Sequence, residues 1–84
     1  METFGFNILF DDGWKARSAI VNVVNGIPNP IICVKLVKDE AEYQIRLDLG
    51  KQIFIDHISG VSFNKESVVD LSNKLFQIIY KGLI

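Results

Sequence analysis

The stretch Asn64–Leu83, NKESVVDLSNKLFQIIYKGL, constrains the fold most, because its apolar residues recur with the period of an α-helix. At about 100° per residue, Val68, Val69, Leu71, Leu75, Phe76, Ile78, Ile79, Tyr80 and Leu83 fall on one side. Glu66, Asp70, Asn73, Lys74, Gln77 and Lys81 fall opposite, and only Ser72 interrupts the apolar side. The end signals agree with a helix over about 65–81. Asn64 suits the N-cap, and Phe63 and Val68 have the spacing of a hydrophobic staple. Glu66 and Lys81 complement the helix dipole. Gly82 is expected to take a left-handed C′ position, with Leu83 folding back on Ile78.

The apolar arc spans roughly 200°, against the ~100° that one core face requires. Two arrangements satisfy such a helix. A curved sheet wraps it, or one flank, along Val69, Phe76 and Tyr80, meets another chain. The first is preferred for the core and the second defines the interface candidates.

Ahead of the helix the period changes to two. Residues 3–10 alternate, with Phe4, Phe6, Ile8 and Phe10 on one face. Asp11-Asp12-Gly13 then reads as a hairpin turn. A two-residue turn pairs Phe10 with Lys15 and Ile8 with Arg17. A three-residue loop pairs Phe10 with Trp14 and Ile8 with Ala16. The second is preferred because it keeps both charges off the core face. The second strand, about 14–24, changes parity from Trp14 and Ala16 to Val21 and Val23, which a β-bulge near Ser18 reconciles.

Asn25-Gly26 predicts a two-residue hairpin turn between Val24 and Ile27; a plain surface loop over 25–30 is the alternative. In the hairpin, Ile27 and Asn29 point their N–H groups at the second strand. Pro28 and Pro30 then fall where no donor is needed. The third strand, about 27–37, and the fourth, about 43–49, are joined by a polar turn at Lys38–Ala41. A four-residue loop pairs Leu36 with Tyr43, Val34 with Ile45 and Ile32 with Leu47, and sets Pro30 opposite Leu49. Gly50-Lys51 suits a tight turn with glycine first, and a fifth strand follows at about 52–58, apolar on both parities. The expected fold is α+β: a single domain, 1–84, with a five-stranded, mostly antiparallel meander and one C-terminal amphipathic helix packed on one face.

Chemistry is less legible. Nine basic and ten acidic residues give a net charge of −1, with no basic excess for nucleic acid. The lone Cys33 excludes an internal disulfide and reads as a buried inert thiol; no Cys/His set indicates zinc. The N-terminus lacks the basic region of a signal peptide, and no apolar run approaches the ~20 residues of a membrane span. A soluble, cytoplasmic protein without membrane contact, cofactor or metal is expected. His57 reads as a structural or surface residue, since a strand points it away from Asp56. Asp11 and Asp12 read as turn chemistry.

The surplus apolar surface favours a small non-catalytic protein-interaction module of adaptor, inhibitor or chaperone type, self-associating as a homodimer. Val69, Phe76, Tyr80 and Trp14 are its interface candidates, although core packing of Trp14 against Phe10 is preferred over an anchoring role. The alternative is nucleic-acid or phosphate-ligand binding through a basic stripe of Lys15, Arg17, Lys35 and Arg46 on the outer sheet face.

Overall fold

A computed structural model describes residues 1–83. Seven strands precede one helix: β1 (Glu2–Asp11), β2 (Trp14–Val21), β3 (Val23–Val24), β4 (Ile27–Pro28), β5 (Ile31–Lys38), β6 (Ala41–Asp48), β7 (Ile53–Phe54) and α1 (Lys65–Gly82). Five of them form an antiparallel sheet in the order β1-β2-β5-β6-β7, and β3 and β4 form a separate hairpin. The fold is α+β as expected, with the helix packed on one face of the sheet.

The register of β5 on β6 is the expected one. Leu36 faces Tyr43, Val34 faces Ile45 and Ile32 faces Leu47, while the Leu49 N–H donates to the Pro30 carbonyl at 2.8 Å. The connecting turn is tighter than the four-residue loop expected. Lys38 pairs with Ala41, and Asp39 and Glu40 both take positive φ, as a two-residue type I′ turn requires. In the first hairpin both proposed registers are half right. Asp11 faces Trp14 across a two-residue turn, yet Ile8 faces Ala16, because Phe10 is an extra, bulged residue. The predicted bulge in β2 falls at Arg17: Ala16 faces Leu36 and Ser18 faces Lys35, leaving Arg17 unpaired on that side. It switches the buried parity from Trp14 and Ala16 to Ala19 and Val21.

Three expectations are corrected. The second and third strands are each broken, at Asn22 and at Asn29-Pro30, so their ends separate as the β3–β4 hairpin. The loop before β7 has four residues, Leu49–Gln52, and its positive φ lies at Gln52, not Gly50. The Asp48 carboxylate shapes that loop by accepting from the Gly50 and Lys51 N–H groups. The fifth strand of the sheet is only Ile53–Phe54, because the Asp56 side chain replaces the next rung of the ladder. Its Oδ2 accepts the Arg46 N–H at 3.0 Å, while the Ile55 N–H still donates to the Arg46 carbonyl at 2.8 Å.

The helix starts as read. The Asn64 side chain accepts from the Glu66 N–H at 2.8 Å, and the Asp11 carboxylate accepts the Asn64 N–H at 2.6 Å, tying the end of β1 to the cap. The end differs. Gly82 remains helical and Leu83 is the C-cap, donating to the Tyr80 carbonyl at 3.3 Å. Gly82 is needed for space: a Cβ there would lie 2.6 Å from the Phe4 ring.

The helix backbone approaches β1 and β7, the two edges of the sheet. A sheet whose edges reach the helix curls around it, and the bulges at Phe10 and Arg17 supply extra twist. Val68, Leu71, Leu75 and Ile79 are buried in the trough against Ala16, Ala19, Val34, Leu36, Ile45 and Leu47. Ser72 is buried among them with its hydroxyl donating to the Val68 carbonyl at 2.8 Å. Among the described residues, no helix is long and apolar enough to cross a membrane.

Candidate functional site

Curling accounts for most of the wide apolar arc but not for its flank. Phe76 and Tyr80 stay 45% and 39% exposed and stack on each other with ring centroids 4.1 Å apart. One turn apart on the helix, they form a single aromatic plate. The plate borders a recess of about 110 Å³ lined by Pro28, Asn29, Pro30, Leu49 and Gly50. Two prolines and a turn thus meet a helix flank some fifty residues later in the chain.

The β3–β4 hairpin stands on the other side of those prolines. Asn25 and Gly26, both with positive φ, turn it, Val24 faces Ile27, and the Asn29 N–H donates to the Asn22 carbonyl at 2.8 Å. The predicted hairpin is therefore formed, and Pro28 opposes Val23 where no donor is required of it. Its tip is apolar and exposed, Val24 at 61% and Ile27 at 70%. A second, shallower hollow lined by Val24, Ile27, Pro28 and Pro30 shares its proline wall with the recess beside the plate. Hairpin tip, proline wall and aromatic plate are one continuous surface. No residue from Ser18 to Val34 is charged.

Of the interface candidates, the structure brings Phe76 and Tyr80 together. Val69 lies two turns earlier on the same stripe, half-buried, in a hollow with Lys65, Asp70 and Asn73. Asn73, read from the sequence as lying opposite, instead falls between Val69 and Phe76 and interrupts the stripe, its side-chain oxygen accepting from Gln52 Nε2 at 2.8 Å. Trp14 is only 4% exposed and packs tilted against Tyr43 and edge-on against Phe63, with centroids 5.3 and 5.5 Å apart, so its place is in the core, far from the plate in sequence and role. Sequence reasoning missed Val24, Ile27, Pro28, Pro30 and Leu49. The signal was present in the uncharged run around Asn25-Gly26.

Of the four cations of the basic stripe, two are ion-paired. Lys15 and Arg17 are exposed. Lys35 sits 3.8 Å from Glu42, and Arg46 grips Asp56 through Nε and Nη2, at 3.1 Å to Oδ2 and 2.8 Å to Oδ1. That pairing, with the side-chain hydrogen bonds foremost and the Arg46 N–H next, holds the Asp56 carboxyl down to about 2. The same pairing raises the Arg46 guanidinium above its ordinary value.

His57 is exposed at the mouth of a cleft of about 290 Å³ between β7 and the start of α1. The neighbouring carboxylate, Asp56, is already engaged by Arg46. Cys33 is half-buried, not buried as expected, on the outer face beside Ile20 and Arg46. Asp12 accepts from Lys38 Nζ at 3.2 Å, and that ammonium also lies 5.6 Å from the Trp14 ring centroid. Among the described residues, no three His, Cys, Asp or Glu side chains are grouped to hold a metal ion.

No protein-family model, curated protein or solved structure matches this chain.

Proposed function

We propose that this chain is a small non-catalytic protein-interaction module that self-associates through the flank of its helix. The observation that carries the reading is the exposed Phe76–Tyr80 plate beside an uncharged proline wall. A folded chain gains by covering such a surface, because contiguous apolar patches mark interfaces and aromatic side chains dominate their energetics. The helix trough already buries Leu71, Leu75 and Ile79, so the plate is surplus to the core. An 84-residue chain has a modest core, and association supplements it.

The test is molar mass in solution by light scattering, for the native chain and Phe76→Asp. A native dimer and a soluble, folded monomeric variant are expected. A variant that stays dimeric with unchanged mass would remove the helix flank from the interface.

A further inference from the structure

The patch carries both a projection and a hollow, and this bears on what covers it. The tip of the β3–β4 hairpin lifts Val24 and Ile27 clear of the body. With two residues in each strand, the hairpin is too short to fold over and fill the recess beside its own base. That recess, about 110 Å³, has room for a few waters at ~30 Å³ each, or for one branched aliphatic side chain. Its walls are mostly apolar, Pro28, Pro30, Leu49, Phe76 and Tyr80, with Asn29 and Gly50 completing the lining.

We infer that the occupant is a second copy of this chain, with Ile27 of each copy seated against Phe76 and Tyr80 of the other about a two-fold axis. The inference rests on the self-association proposed above and specifies its geometry. A two-fold interface is self-complementary: if one residue contacts another, the reverse contact occurs as well. A projection and a hollow side by side on one surface meet that condition. Charge permits it too. Like charges brought together veto a pairing, and the hairpin and proline wall, within the run Ser18–Val34, contribute none; the lysines next in sequence to the recess are Lys51 and Lys81. The exposed parts of Val24, Ile27, Phe76, Tyr80 and Pro30 amount to roughly 300–500 Å² of apolar surface. Framed by Asn22, Asn25 and Asn29, two such patches total roughly 600–1,000 Å², below the ~1,200 Å² of stable interfaces and in the range of weak, transient ones. The expected complex is a reversible dimer.

Two experiments test it. Ile27→Asp changes a tip residue outside the core, so the fold, read by circular dichroism, is expected to persist. Dimer dissociation is expected to become easier by about tenfold or more, as for an interface hot spot. In a Cys33→Ala background, Ile27→Cys protein and Tyr80→Cys protein are mixed under mild oxidation. The mixture is expected to yield a disulfide-linked heterodimer, and each protein alone far less product. If the native chain is dimeric but Ile27→Asp leaves its mass unchanged and the mixture does not cross-link, the hairpin geometry is overturned while self-association through the helix flank survives. If the native chain is a monomer at every concentration, both fall.

Discussion

Asp56 shows how one side chain sets the edge of a sheet. A strand ends where its donors find a better acceptor, and the Arg46 N–H finds a carboxylate 3.0 Å away instead of a further carbonyl. The same carboxylate is gripped by the Arg46 guanidinium, which holds its pKa down to about 2, against an ordinary aspartate near 3.9. A depressed folded-state value gives stability that is fully present above about pH 4 and is lost as the pH falls through about 2. Asp56→Ala is therefore expected to lower the urea midpoint by a constant amount from pH 5 to 7, with the gap to the native chain closing between pH 4 and 2. A gap undiminished at pH 2 would mean the effect is packing, not charge. Glu40 is the opposite case, a residue working against its conformation. It holds φ at 68° in the β5–β6 turn without the freedom of glycine. Glu40→Gly is expected to stabilise the fold by about 0.5–1 kcal/mol, measured by chemical denaturation.

At the scale of elements, α1 and the sheet divide the apolar arc into two functions that adjacent residues report. Leu75 is fully buried in the trough, while its neighbour Phe76 faces out. Leu75→Ala is expected to cost ~2–5 kcal/mol of folding stability. Phe76→Ala is expected to cost under about 1 kcal/mol when measured on dilute, monomeric protein, since it leaves no cavity. The contrast also marks how far the sequence could be read. Periodicity placed α1 and the inward faces of β5 and β6, because there each side chain obeys one local rule and the rules agree. The Arg17 bulge was visible for the same reason, as a break in parity. What escaped depends on long-range partners. The shortness of β7 follows from Asp56 reaching across to Arg46, and the need for glycine at position 82 follows from the Phe4 ring lying where a side chain would be. In the candidate site, Phe76 and Tyr80 were legible from helical phase. The proline wall was not, since the pairing that brings Pro30 to Leu49 gives no hint that the helix flank closes over both.

Taken whole, a small chain such as this one is shaped by how it disposes of its apolar surface. The curled sheet takes the centre of the helix arc, and the bulges that produce the curl also guard an edge. β1 is a ten-residue edge strand, the kind that invites pairing with another chain, yet it is irregular at Phe6-Asn7 and again at Phe10 and begins and ends with an acid. Association by edge-to-edge pairing is thereby disfavoured, and the exposed apolar surface of hairpin, prolines and helix flank is left as the place where a second chain gains most. Covering that surface stabilises only the folded state, so stability becomes linked to protein concentration. The Tm of the native chain is expected to rise as its concentration is raised across the dimerisation range. The Tm of Phe76→Asp is expected to stay flat over the same range and to meet the native value at high dilution. Calorimetry on the two proteins over a concentration series reads this directly. A native Tm independent of concentration would show that the plate is left uncovered by its own kind, and that the curled sheet alone accounts for the stability of the fold.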